Sequence, residues 1–298
     1  DDDAVDEDND DPSPESGVDG LLEIRGSFHS PRLVPVARSL ATACRTVKGW
    51  YIPNIAVGAH SHAPALDDPS SRAYPRRADE GGKRMPSMEF GYNPPSGERG
   101  QELIRPREFL QDLHHSLDIA SQGFGSLWVS DHLNYADEFR IECWTLLTWI
   151  AARYPGPQLG TIVMSNSFRS PALMAKMGAS LQEVSSGRFI FGYGAGWHEG
   201  EHNAFGYDYP RPRVRMDRLE EGVQIIRAMW TQSPASFTGK HYQIADVHCE
   251  PLPHPVPPIM IGGAGEKYTL KVVARHADWW NDLNRPHDEL RHKLDVLR

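Results

Sequence analysis

Cysteine is scarce in this sequence, and its placement excludes more than its number does. Cys44, Cys143 and Cys249 stand far apart, with no Cys-x-x-Cys pair. That spacing offers neither a disulfide framework nor a structural zinc site. A reducing cytoplasm is therefore the expected compartment. Long apolar runs are missing too: no stretch approaches the roughly 20 residues that a membrane-spanning helix needs. No charged-then-apolar opening resembles a signal peptide. Positive charge is not in excess either. The net charge of −9 comes from residues 1–20, which hold ten Asp or Glu and no Lys or Arg; the remainder carries 31 basic against 30 acidic residues. A near-neutral remainder lacks the electrostatic footprint of a nucleic-acid binder. Neither a membrane nor a nucleic acid is an expected partner.

What is present divides the chain near residue 87. Residues 1–20 are acidic and of low complexity, and residues 21–86 contain seven prolines with no sustained apolar period. Residues 1–86 are expected to form a largely disordered extension. Only Ile55-Ala56-Val57 looks like a short strand, isolated among prolines. From Met88 onward, strand-like and helix-like patterns alternate. Strands are expected at 88–93, 126–130, 159–164, 188–193, 258–261 and 278–281, with a small hairpin over 236–243. Helices are expected from Pro106 to about Gly123, over about 139–153, from Pro171 to about Val184, around Met216–Trp230, and from the Gly262 turn to about Ala277. Leu290, Leu294 and Leu297 mark one more amphipathic run. Ser170-Pro171 is a helix N-cap followed by a first-turn proline. Strands that alternate with helices imply crossover connections and a parallel sheet.

Four loops at strand ends could carry chemistry. Asp131 and His132 follow the second strand, where a carboxylate beside an imidazole can share proton work; a capping Asp beside a satisfied His is the plainer alternative. Ser165 opens a small polar loop after the third strand, which equally suits a simple helix cap. Gly194, Ala195, Gly196 and Trp197 follow the fourth strand, where glycines let a flat ligand approach the backbone. Gly262, Gly263, Ala264 and Gly265 lie between a strand and a helix, where backbone N–H groups suit a phosphate and an ordinary tight turn does as well. His198 and His202 are four apart with acidic neighbours, but Gly200 weakens a helix between them and no third ligand is evident, so no metal site is expected.

The order of these strings is their specific feature. SLWVSDHL (126–133), LGTIVMSNSFRSPALMAKM (159–177), SSGRFIFGYGAGWHEGEHNAFGYDYP (185–210), RMDRLEEGVQIIRAMW (215–230) and PPIMIGGAGEKYTLKVVARHADWWN (257–281) together resemble the luciferase-like monooxygenase superfamily, in particular a subgroup of F420-dependent oxidoreductases. The resemblance implies an α/β fold, a (β/α)₈ TIM barrel, over residues 87–298. It implies an enzyme that transfers hydride between coenzyme F420, a deazaflavin, and a small-molecule substrate. Two alternatives stand beside it: a reduced-FMN-dependent monooxygenase of the alkanal or alkanesulfonate type, and a non-catalytic barrel remnant. The ring would lie across the barrel mouth, with His132 and Asp131 beside it. A cis peptide is implied at Ile162-Val163, behind the ring. Ser165 would contact the ring, Gly194, Ala195, Gly196 and Trp197 would line it, and Gly262, Gly263, Ala264 and Gly265 would hold the cofactor phosphate. A homodimer is the assembly such relatives imply. A barrel has eight strands and about 250 residues. The count of six predicts a domain truncated after the sixth strand, whose first and sixth strands are left as open edges.

Overall fold

The computed structural model describes residues 55–58, 89–97, 106–134 and 139–298, with backbone alone for 55–58. All of them lie in one compact unit, Val47–Arg298. The expected disorder of residues 1–86 falls almost wholly outside the described residues. The strand expected at 55–57 is present as β1, Ile55–Gly58.

The remaining elements alternate much as the sequence predicts. β2 (Gly91–Tyr92) is followed by α1 (Pro106–Gly123), β3 (Ser126–Val129), α2 (Cys143–Arg153) and β4 (Gln158–Thr161). Then come β5 (Met164–Ser165), α3 (Pro171–Val184), β6 (Phe189–Gly194), α4 (Glu199–Ala204) and α5 (Pro212–Thr231). A hairpin of β7 (Ala235–Thr238) and β8 (Gln243–Val247) precedes β9 (Ile259–Gly262), α6 (Thr269–His276), β10 (Trp279–Asp282) and α7 (His287–Val296).

Local chemistry sets the helix ends. Ser170 accepts a hydrogen bond from the Leu173 N–H at 3.3 Å, and Pro171 opens α3. Ser186 and Gly187 then take φ of 58° and 81°, which stops the helix. α2 begins later than the expected 139, because Glu142 serves as its N-cap. The Glu142 carboxylate accepts from the N–H groups of Trp144 (3.0 Å) and Thr145 (2.7 Å), while Ile141 donates its N–H to the Ser96 carbonyl at 2.7 Å. The chain before Glu142 is thus spent on a bridge to the 96–97 segment. The short helix α4 was not expected across Gly200. The His198 side chain supports it by accepting the Glu201 N–H at 2.9 Å.

The sheet runs β1-β10-β9-β6-β4-β3-β2, with β5 also paired to β6. Every pairing in it is parallel except that of β1 with β10. The open sixth-strand edge expected from the sequence is therefore covered. Ile55–Gly58 pairs antiparallel along the whole of β10, with Ile55 opposite Asp282 and Gly58 opposite Trp279. An antiparallel neighbour needs no helical crossover, so a short strand among prolines can add to that edge. The single third strand expected over 159–164 is two pieces, β4 and β5, and the Ile162–Val163 peptide between them is cis, as the resemblance implies.

Side chains alternate across the sheet as the two-residue period of a strand requires. Leu127, Val129, Leu159, Phe189, Phe191, Tyr193, Ile259 and Ile261 are buried together with the helices on one face. Trp128, Ile190 and Met260 form a separate cluster on the other, with Ile162, Val163 and Trp279 against it. The indole of Trp128 fills that inner face. A methyl group on Gly160 would come within 2.1 Å of its ring, and one on Gly91 within 2.3 Å. Helix packing closes the outer face: the Trp230 indole of α5 donates to the Ala175 carbonyl of α3 at 2.8 Å. No helix among the described residues is long and apolar enough to cross a membrane.

Candidate active site

Parallel strands bring their C-terminal ends to one edge, so the loops after β3, β5, β6 and β9 gather there. Val163, just past the cis bond, is the hub of one group. A methyl on Gly194 would approach Val163 Cγ2 to 2.7 Å, and one on Gly262 to 2.8 Å. Three residues singled out from the sequence therefore meet at one point, and both glycines are required by the space they leave to Val163.

Gly196 organises a second group. Its φ is +79°, a conformation that disfavours any side chain. A methyl there would lie 2.7 Å from Ser165 Oγ and 3.1 Å from the His202 ring. Ala195 is buried between Gly194 and Gly196. His202 is fully buried, with Nδ1 2.8 Å from the His198 carbonyl oxygen. Its Nε2 has no hydrogen-bond partner among the described residues. No group of three or more His, Cys, Asp or Glu among the described residues could hold a metal ion.

Asp131 and His132 are neighbours in sequence but part company in space. The Asp131 carboxylate accepts from Arg169 at 2.8 and 3.2 Å and from the Ser165 N–H at 2.9 Å. Arg169 also pairs with Glu142. Burial pushes the Asp131 carboxyl above the usual carboxylate range, and the Arg169 contacts pull against it. Asp131 is thus tied into the wall of the site, and its hydrogen bonds go to Arg169 and Ser165. His132 turns instead to Glu201, with Nδ1 3.1 Å from Oε2. Glu201 Oε1 also accepts the Asn134 N–H at 3.1 Å and that of Leu133. Burial works against the Glu201 charge, but the His132 contact and the two backbone donors win and hold its pKa below the usual range. Trp197, half exposed, sets its ring edge-on to His132 at 5.8 Å between centroids.

The glycine turn after β9 is in place between β9 and α6, with Gly263 at φ +115°. The Gly263 N–H is committed to the Asn281 carbonyl at 3.0 Å, so the expected anion cradle would draw on Ala264 and Gly265 rather than on Gly263. Asn281 stands opposite Gly262 in register, and its buried Nδ2 has no partner among the described residues. Sequence reasoning missed Arg169, Glu201 and Asn281. All three lie within the strings quoted for the resemblance, but their partners are distant: Glu201 is 69 residues from His132, and Arg169 is 38 from Asp131.

Residues 88–298 match the family model described as luciferase-like monooxygenase. An F420-dependent glucose-6-phosphate dehydrogenase of Amycolatopsis mediterranei is 32% identical over 181 residues, 59% of this chain and 52% of the relative. An FMNH(2)-dependent dimethylsulfone monooxygenase of Pseudomonas putida is 30% identical over 151 residues, 50% of this chain and 38% of the relative. The chain spans about half the length, or less, of these relatives. The crystal structure of the monooxygenase RslO1 from Streptomyces bottropensis superposes with a TM-score of 0.57 at 23% identity, over 71% of this chain and 65% of that one. That likeness speaks to the fold, a curled parallel sheet of the TIM-barrel kind. Since the family match takes in every parallel strand from β2 to β10, the chain belongs to the luciferase-like monooxygenase family.

Proposed function

We propose that this chain forms the cofactor side of an oxidoreductase that transfers hydride between coenzyme F420 and a small organic substrate. The observation that carries the reading is the meeting of Val163 with Gly194 and Gly262 at the strand ends, with the His132–Glu201 pair on the segments that follow β3 and β6 at the same edge. Val163 closes over the side-chain-free faces of both glycines, so a flat ring would lie against Val163 and the strand-end backbone that it caps. The residues present fit such a group. Two buried polar atoms, His202 Nε2 and Asn281 Nδ2, have no partner among the described residues. Both lie on segments that border the glycine groups.

In this reading Val163, Gly194, Ala195, Gly196 and Trp197 hold the ring, together with Ser165. Ala264 and Gly265 offer backbone N–H groups to a phosphate before α6. His132 handles the proton that accompanies the reaction, and Asp131 fixes the Ser165 loop through its N–H and Arg169. When bound, a deazaflavin supplies hydride transfer, whereas reduced FMN supplies oxygen activation. The deazaflavin reading is supported by the recurrence of F420-dependent glucose-6-phosphate dehydrogenases among the relatives, at 28–33% identity.

Titration of the purified chain with F420 and FMN, each oxidised and reduced, tests the proposal. Saturable F420 fluorescence changes at concentrations where FMN gives none are expected. FMN binding ahead of F420 would move the protein to the monooxygenase branch, and binding of neither would leave a barrel remnant.

A further inference from the structure

Glu201 makes an unusual set of contacts for a buried carboxylate. It is 1% exposed and comes from the third residue of the six-residue helix α4. Its partners are three consecutive residues of another loop: the His132 ring, the Leu133 N–H and the Asn134 N–H. A surface helix could dock here with an apolar residue. A carboxylate facing three donors performs a task that an apolar contact cannot.

That task follows from donor and acceptor bookkeeping. An ionised carboxylate only accepts hydrogen bonds. The hydrogen shared with His132 must therefore reside on Nδ1. In the neutral ring the other nitrogen, Nε2, then becomes an acceptor. The two oxygens are not interchangeable, because Oε1 is engaged by both backbone N–H groups and Oε2 alone faces the imidazole. The backbone donors hold the carboxylate in one orientation, and the carboxylate holds the ring in one tautomer.

We propose that Glu201 is a positioning residue, which fixes the loop carrying His132 and holds its imidazole in the Nδ1–H tautomer so that Nε2 is the proton-accepting atom. The role deepens the reading of His132 as the proton-handling group. It does not require Glu201 to touch substrate or cofactor.

The test turns on one substitution. In Glu201→Gln the amide oxygen must stay with the Leu133 and Asn134 N–H groups, since the amide nitrogen cannot accept them. The NH₂ group is then left facing His132 Nδ1. That nitrogen must become the acceptor, and the ring proton moves to Nε2. The measurement is ¹⁵N NMR of the full chain labelled at histidine ring nitrogens, at a pH where the ring is neutral. The His132 signals are those among the 14 histidines that vanish in His132→Gln.

The expected result is Nδ1–H in the natural protein and Nε2–H in Glu201→Gln. Turnover with F420 should fall by about 10²-fold or more, as for other losses of a correctly protonated acid–base group. A carboxylate that merely braced the loop would leave the tautomer the same in both proteins, and that result overturns the proposal. If Glu201→Gln does not fold, the natural protein still decides, because an Nε2–H tautomer there is incompatible with the proposal. The NMR arm needs no cofactor. Failure of both cofactor titrations with the tautomer switch intact would thus remove the proposed function and leave the positioning role standing.

Discussion

Two adjacent residues show how differently burial and partners assign roles. Asp131 has a fully buried side chain tied to Arg169, itself only 12% exposed. His132 is partly open and meets Glu201 and Trp197. Removing one member of a buried ion pair strands the other charge, at a cost of about 3–5 kcal/mol. Arg169→Ala should therefore lower the melting temperature sharply, because it abandons both Asp131 and Glu142. His132→Ala takes one partner from the buried Glu201 carboxylate but leaves it the Leu133 and Asn134 N–H groups. The variant should retain most of the stability while turnover falls about 10²–10⁴-fold. Thermal melts and steady-state rates on the two variants separate these outcomes. A destabilised His132→Ala with unchanged turnover would return His132 to the status of an ordinary polar residue. The sequence placed both residues at a strand end and so at the site. It paired them with each other because they are neighbours, and spacing alone cannot display a partner 38 or 69 residues away.

At the scale of elements, α5, β6 and the site loop are locked by a buried polar cluster. The Tyr193 hydroxyl of β6 donates to Asn166 Oδ1, and the Asn166 amide donates to the Tyr242 hydroxyl at 3.2 Å. Tyr242 is held in turn by Glu221 of α5, which accepts the N–H groups of Lys240, His241 and Tyr242 at 2.8 to 3.0 Å. The β7–β8 hairpin is thus pinned to the loop that follows Ser165. Gly222 makes room for the cluster: a methyl there would lie 2.5 Å from the Tyr193 hydroxyl and 2.9 Å from Asn166 Oδ1. Glycine in a helix interior costs about 1 kcal/mol relative to alanine, so Gly222→Ala on propensity alone would stabilise α5. Overpacking a filled core costs about 1–3 kcal/mol, and here the obstructing atoms are themselves hydrogen-bonded. The clash wins, and chemical denaturation should show Gly222→Ala to be destabilised; equal or higher stability would mean that the cluster yields freely. The main helices were legible because caps and apolar periods are local signals. Ser170-Pro171 for α3 is the clearest case. α4 was not, because a His side chain supplies the cap that Gly200 and six residues of propensity do not.

At the scale of the molecule, the order of strands was readable and their closure was not. Parallel pairing from β2 to β10 follows from the alternation of strands and helices. The two pieces β4 and β5 read as one strand, since the residue pattern of LGTIVMS does not mark the interruption and only the resemblance placed the cis peptide at Ile162-Val163. The pairing of β1 with β10 could not be read, because an isolated strand carries no indication of which edge it joins. That pairing has a testable consequence. Without it, the four residues of β10 would present backbone donors and acceptors beside a buried Trp280, which is the geometry that recruits another chain. Deleting residues 1–60 removes β1 and leaves the family-matching segment from 88 onward intact. The deleted protein should self-associate more than the full chain at the same concentration. Light scattering over a concentration series reads this as a rising apparent mass for the deletion alone. The acidic residues 1–20 leave with the same deletion, so a second deletion confined to 1–20 separates charge from pairing. If the shorter deletion associates as much as the longer one, repulsion by the acidic run is the cause, and β1 has no part in protecting the edge. If only the longer one associates, the antiparallel strand is what keeps the edge of β10 from other chains.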